Sequence, residues 1–225
     1  MRFGLILAAG KGERFGSCKQ QELLGGHPLA LWSILAFEQS SSVDLIVMVT
    51  DEGSVKFFEH QIKQRGIGKV EAVVPGGKER IDSLKAGLKA LPEKDLVAIH
   101  DGARPFVRAE DISLGFEILE SKGPAIYAIP VTDTLKRVKG KVIVETISRN
   151  SVYRAQTPQF FPLPLLREAI ARGEAQGFKG TDEASYLEQI GEQVYILPGR
   201  EENLKVTYRR DLELAETLLT AGTCP

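Results

Sequence analysis

At 225 residues, with 43% hydrophobic and 26% charged residues, the chain suits one large globular domain spanning residues 1–225. A net charge of −1 argues against nucleic acid or an anionic membrane as partner, so any anionic ligand must be met by local cation clusters. The two cysteines, Cys18 and Cys224, form no C-x-x-C, and no stretch reaches the roughly 20 apolar residues of a membrane span; both fit a reducing, cytoplasmic setting.

The first predicted strand, Phe3–Ala8, runs directly into Ala8-Ala9-Gly10-Lys11-Gly12-Glu13-Arg14-Phe15-Gly16, and Lys19-Gln20 close the segment. Small residues let backbone N–H groups approach an anion, and Lys11, Arg14 and Lys19 supply positive charge. A Gly-rich loop at the carboxyl end of a first strand is where open α/β sheets place ligands. The loop predicts a nucleoside triphosphate. It is not a P-loop, because no Gly-Lys-Ser/Thr follows at the required spacing. Gly10, Gly12 and Gly16 read G-x-G-x-x-x-G, one residue too long for the dinucleotide fingerprint, and Asp51 lies too far along for its acidic partner. Both points weigh against an NAD-dependent oxidoreductase.

Further strands are predicted at Val43–Thr50, Lys69–Val74, Asp95–His100 and Ala125–Pro130, and they alternate with helices near Leu29–Gln39, Ser54–Arg65, Ile81–Leu91 and Ala109–Ser121. Ile81, Leu84, Leu88 and Leu91 share one helical face. Strands that are apolar throughout, such as Leu45–Val49, indicate parallel strands covered on both sides. The expected fold is a three-layer α/β sandwich, Rossmann-like, with a mostly parallel sheet. Residues 131–155 break the rhythm: two extended runs meet at Lys139-Gly140-Lys141, a hairpin too polar for a core of its own. The chain then returns through Thr157–Phe161 to helices near Pro164–Gln176 and Asp182–Ile190. A strand at Gln193–Leu197 and a helix from Arg209 to Thr220 follow.

The A-A-G-x-G-x-R loop with its Lys-Gln resembles nucleotidyltransferases that join a nucleoside monophosphate to a polyol phosphate. Further segments extend the resemblance along nearly the whole chain: Gly76-Gly77-Lys78-Glu79-Arg80 with Asp82-Ser83, His100-Asp101-Gly102-Ala103-Arg104-Pro105 and Asp133-Thr134-Leu135-Lys136-Arg137. Ser148-Arg149-Asn150, Thr157-Pro158-Gln159-Phe160-Phe161, Thr181-Asp182-Glu183-Ala184 and Asn203-Leu204-Lys205-Val206-Thr207 continue it. Together they resemble the 2-C-methyl-D-erythritol 4-phosphate cytidylyltransferase (IspD) family. The resemblance implies transfer of CMP from CTP to 2-C-methyl-D-erythritol 4-phosphate, with release of pyrophosphate, in non-mevalonate isoprenoid synthesis.

By the same resemblance Arg14 and Lys19 are the catalytic cations. Ala8, Ala9, Gly10, Gly12, Gly77 and Ser83 bind the nucleotide, and Asp101 holds Mg²⁺. Thr134, Arg149 and Lys205 hold the substrate phosphate, with Arg104 adding a contact. Residues 131–155 become an arm that embraces a second subunit in a homodimer and completes its active site. Taken alone, Arg14 and Lys19 are solvated loop charges, Asp101 a helix cap or an ion-pair partner of Arg104, and Arg149 a surface residue. Two segments keep their structural readings: His100 is a packed, hydrogen-bonded histidine, and Thr181-Asp182-Glu183 is an N-cap with acids in the first helical turn. Arg80 and Asp82 buttress the glycine turn. Relatives usually carry proline where this chain has Cys18, which frees φ and leaves the loop less pre-ordered. Relatives often carry Asp at Lys78, so no contact is assigned to it. Alternatives are a ribitol 5-phosphate cytidylyltransferase and a non-catalytic nucleotide-binding module.

Overall fold

A computed structural model describes residues 1–10, 12, 14–16 and 18–222. Its centre is a seven-stranded sheet. In chain order the strands are β1 (Arg2–Ala8), β4 (Leu45–Thr50), β5 (Val70–Pro75), β6 (Leu96–Asp101), β7 (Ala125–Pro130), β10 (Tyr153–Pro162) and β11 (Tyr195–Pro198). They lie in the order β11-β7-β10-β6-β1-β4-β5. All pairings are parallel except those of β10, which runs antiparallel between β6 and β7. The architecture is therefore the mostly parallel α/β sandwich that the apolar strands predict.

Alternate residues of β1 feed the two faces, as strand geometry requires. Ile6 and Ala8 join a core built from α1 (Leu29–Gln39), α2 (Val55–Gln64) and α4 (Ala109–Ser121), through Leu31, Phe37, Phe58 and Phe116. Leu5 and Leu7 face α3 (Arg80–Lys89), α5 (Leu163–Ala175) and α6 (Glu183–Gln189), through Leu84, Leu88, Leu166 and Leu187. A smaller core brings Phe15 of the glycine loop together with Leu24, Phe106, Val206 and Ala215 of α7 (Arg209–Thr220). A two-residue turn also escapes the sequence reading. Gly25 and Gly26, both at positive φ (55° and 83°), connect β2 (Leu23–Leu24) to β3 (His27–Pro28). No helix among the described residues is long and apolar enough to cross a membrane.

β10 is the principal departure from expectation. In the sequence, Thr157–Phe161 read only as the chain's return toward the next helices, and Pro158 is foreign to a central strand. The structure accommodates them with a register shift between Ala155 and Gln159. The expected hairpin is present as β8 (Leu135–Lys139) and β9 (Val142–Ile147), with Gly140 at φ 63° in its turn. It forms a separate two-stranded sheet, and Val138, Val142, Ile143 and Val144 on it are all more than half exposed.

Candidate active site

A cleft of about 410 Å³ opens at the carboxyl ends of β1 and β6. From β1 the chain steps outward through β4 and β5, then crosses back to place β6 on the other side of β1. That reversal leaves a crevice where ligands bind in open α/β sheets. The glycine loop, the Gly76-Gly77 turn and the segment around Lys205 form its walls.

Arg14 stands on a tight turn in which the backbone N–H groups of Phe15 and Gly16 both donate to the Gly12 carbonyl at 2.8 Å. Gly12 has φ 66°, a conformation that favours glycine. Phe15 is buried beneath this turn, so the loop is anchored while Arg14 stays exposed at the cleft, its Cζ 6.0 Å from the Tyr208 ring centre. A Cβ at Gly10 would meet no atom within 4 Å, so packing does not demand glycine there, and its bare backbone leaves the cleft open. Gly76 and Gly77 are demanded by packing: a Cβ would stand 2.4 Å from Ala9 Cβ and 2.2 Å from Asp82 Cβ respectively. Ser83 Oγ accepts from Gly77 N at 3.2 Å and ties that turn to α3.

Lys19 is buried, and its Nζ donates to the Val206 carbonyl at 2.9 Å. Burial, reinforced by the neighbouring Lys205 charge, pulls its pKa below the ordinary lysine value. Lys205 Nζ donates to Asp101 Oδ2 at 2.8 Å. Arg80 Nη2 lies 3.7 Å from Asp101 Oδ1, and Arg104 Nε lies 3.7 Å from Oδ2. Burial alone would raise the Asp101 pKa, but Lys205, Arg80 and Arg104 outweigh it and hold the carboxyl well below the usual range.

The backbone of Asp101 is fixed by a buried chain of hydrogen bonds. Asp101 N donates to Thr157 Oγ1 at 3.0 Å, and Thr157 Oγ1 lies 3.0 Å from His100 Nδ1. His100 Nε2 lies 3.1 Å from the Arg104 carbonyl, which can only accept, so the proton belongs on Nε2 and Thr157 donates to Nδ1. Burial lowers the His100 pKa to about 4 and keeps the ring neutral.

The structure brings Arg14, Lys19, Asp101, Lys205, Ala9, Gly10, Gly12, Gly77 and Ser83 to one cleft. Ala8 is buried in the core on the α1 side, and Leu7 and Ala9 line the cleft instead. Arg104 is turned inward, with Nη1 donating to the Asn203 carbonyl at 2.7 Å, and it is absent from the lining. Thr134 and Arg149 are exposed beside the hairpin, where Arg149 Nη1 donates to the Thr132 carbonyl; neither lines the cleft of its own chain. Lys11 and Cys224 lie outside the described residues.

The start of α6 carries the expected acidic first turn in Glu183, yet that residue does not face solvent. It is fully buried and accepts two hydrogen bonds of 2.8 Å from Arg80, while Asp182 alone caps α6 by accepting from Ser185 N at 3.1 Å. Cys18 has φ −70°, within the proline range, so the backbone there is one that proline would also fit. The sequence reading missed Arg80, Thr207 and Gln20 as lining residues, and it left Lys78, which also lines the cleft, without a role. Arg80 did carry a legible signal, since a cation at a first helical position opposes the helix dipole.

A family model described as 2-C-methyl-D-erythritol 4-phosphate cytidylyltransferase (IspD) matches residues 3–221. The chain belongs to that family. A relative of the same description from Geotalea uraniireducens is 39% identical over 221 residues, covering 96% of this chain and 95% of its own. One from Geobacillus kaustophilus is 40% identical, covering 96% of each. Among solved structures, a 4-diphosphocytidyl-2C-methyl-D-erythritol synthase from Anaerococcus prevotii superimposes with a TM-score of 0.86 at 27% identity, over 98% of this chain and 96% of that one. The Thermus thermophilus cytidylyltransferase gives 0.79 at 30% identity, over 98% and 100%.

Membership of the IspD family raises the question of a metal. Among the described residues no three His, Cys, Asp or Glu side chains cluster to hold one unaided. Asp101, a single ionised carboxylate facing the cleft, is of the type that Mg²⁺ takes alongside phosphate and water, although Lys205 already donates to its Oδ2 and Arg80 and Arg104 stand 3.7 Å away.

Proposed function

We propose that the chain transfers CMP from CTP to 2-C-methyl-D-erythritol 4-phosphate, giving 4-diphosphocytidyl-2-C-methyl-D-erythritol and pyrophosphate in non-mevalonate isoprenoid synthesis. The observation that carries the reading is the convergence of Arg14, Lys19 and Lys205 around Asp101 in a glycine-walled cleft, in a chain of this family.

A phosphate oxygen of the polyol ester attacks the α-phosphorus of CTP. A new P–O bond forms, the bond from the α-phosphorus to the bridging oxygen breaks, and pyrophosphate leaves with that electron pair. The nucleophile is already an anion, so no general base is required. The barrier is the approach of anions and the charge on the crowded phosphorus, which fixed cations lower. Arg14 presents a planar fork to the phosphates from its anchored turn. Lys19 supplies a buried charge that loses little orientation freedom, because the Val206 carbonyl already holds it. Lys205 sits where the carboxylate and an incoming phosphate meet. Asp101 would hold Mg²⁺, which on binding supplies neutralising charge to the triphosphate. The open backbone of Gly10 and Gly12 and the Gly77–Ser83 turn receive the nucleotide.

Thr134 and Arg149 stand away from the cleft of their own chain, on or beside a hairpin that exposes Val138, Val142, Ile143 and Val144. We assign them to the polyol phosphate in the cleft of a second subunit, within a cytoplasmic homodimer that buries the hairpin. Pyrophosphate release from CTP and Mg²⁺ tests the reading, with methylerythritol phosphate and ribitol 5-phosphate assayed side by side. Release with methylerythritol phosphate alone is expected. Release with ribitol phosphate instead would keep the nucleotide cleft and overturn the acceptor.

A further inference from the structure

Arg80 opens α3, at the positive end of the helix dipole, where acids are favoured and cations are not. Its Nη1 and Nη2 donate to the two oxygens of Glu183, each at 2.8 Å, and Glu183 has no exposed surface. Burial works against the Arg80 charge, yet Glu183 outweighs it and holds the guanidinium protonated beyond its ordinary range. Glu183 is itself held in place. Gln159 Nε2 donates to Asp182 Oδ2 at 2.8 Å, and Gln159 Oε1 accepts from Ala184 N at 3.1 Å, which fixes the start of α6 on both sides of Glu183.

Glu183 is buried while Arg80 keeps 36% of its side chain exposed, and such a pair is a poor source of stability, because desolvating the carboxylate offsets much of the attraction. What this pair does is hold one cation still. With two of its donors on Glu183, Arg80 faces the cleft beside Asp101, in the same lining as Arg14, Lys19 and Lys205. We propose that Arg80 is a further triphosphate-binding residue and that Glu183 is its positioning residue. The inference rests on reading the cleft as the CTP site.

Arg80→Gln alone would leave a buried, unpaired carboxylate and could prevent folding. The informative variant is therefore Arg80→Gln with Glu183→Gln, which leaves two neutral amides able to hydrogen-bond across the same gap. Calorimetry in Mg²⁺ would measure binding of CTP, pyrophosphate and cytidine to wild type, to Glu183→Gln and to the double variant, with melting curves confirming the fold. The double variant should bind CTP and pyrophosphate about tenfold more weakly, the scale of one lost charge-assisted hydrogen bond, while cytidine binds as before. Glu183→Gln, which keeps the cation but loosens it, should fall between. A folded double variant that binds CTP as tightly as wild type would overturn the role of Arg80. Equal weakening of cytidine would also overturn it, by tracing the loss to general damage of the cleft. A wild type that binds no CTP would overturn the cleft reading, and the inference with it.

Discussion

Asp101→Asn removes one charge with almost no change of shape, from a carboxylate that faces three cations. The variant loses the charge-assisted bond from Lys205, worth about 1.5–3 kcal/mol. It also leaves Lys205, Arg80 and Arg104 with no shared counter-charge at that point. Asparagine keeps an acceptor for Lys205, so the net loss should be about 2–3 kcal/mol, below the 3–5 typical of a severed buried pair. For a chain of this size that is roughly 4–12 °C in Tm. The pH dependence follows from the direction of the shift. The folded-state pKa of Asp101 lies below its unfolded value of 3.8, so its contribution is fully present above that value and is lost as pH falls through the folded pKa. His100 adds a second acid-labile contribution, because a ring with a pKa of about 4 must charge on acidification. It is present in both proteins and largely cancels in the difference. Melting curves of wild type and Asp101→Asn should therefore run a constant distance apart from pH 5 to 8 and converge below pH 4. An Asp101→Asn protein as stable as wild type at pH 7, or a gap that widens in acid, would refute the account of Asp101 as a clamped, ionised carboxylate.

Arg14→Lys should lower turnover about 10²-fold or more, because a point charge cannot replace the fork at the phosphates; near-normal kcat would remove Arg14 from the chemistry. Mixing inactive Arg14→Ala and Arg149→Ala proteins, with subunit exchange, should restore activity if the arm serves its partner's cleft, since one site of each mixed dimer is then intact. Activity that stays at the level of the separate variants would put Arg149 to work in its own chain or nowhere. Gly115→Ala in α4 places a Cβ 2.0 Å from Phe160 Cζ, and the overpacking should cost about 1–3 kcal/mol in denaturant melts despite the better helix propensity of alanine. Cys18→Pro, at φ −70°, should raise stability by about 0.4–1 kcal/mol through the unfolded state, and a clear loss in the same melts would show that the loop depends on the freedom of that residue.

The parts of the fold that could be read from the sequence are those set by local pattern. Leu45–Val49 is apolar because both of its faces are covered, and the α4 stripe of Ile112, Phe116 and Leu119 repeats at helical spacing because one face packs on the sheet. β10 could not be read this way. Its Gln156, Thr157 and Gln159 are buried polar residues whose reason lies in distant partners, the Arg200 carbonyl, His100 and the start of α6. A local pattern holds no trace of a hydrogen bond to a residue more than 20 positions away, and proline in the middle removes what strand signal remains.

The same limit divides the site. Arg14 and Lys19 share one short loop whose glycines announce a close approach of backbone to ligand, so motif and geometry carry the same information. Asp101 is equally visible, at the end of an apolar strand. Arg80 and Glu183 are separated by 103 positions, and each has an adequate local explanation, a loop buttress for one and a helix-start acid for the other. Only their meeting makes both explanations insufficient. An acid at the start of α6 needs no burial to favour that helix, and a cation at the start of α3 works against the dipole of its own helix. Two ordinary helix starts, one carrying the wrong charge for its dipole and the other burying a charge it could have left in water, together place a fixed cation against the carboxylate at the floor of the cleft. Local electrostatics oppose that placement on the Arg80 side and do not call for burial on the Glu183 side, and the triphosphate role proposed for Arg80 supplies the reason that local pattern lacks.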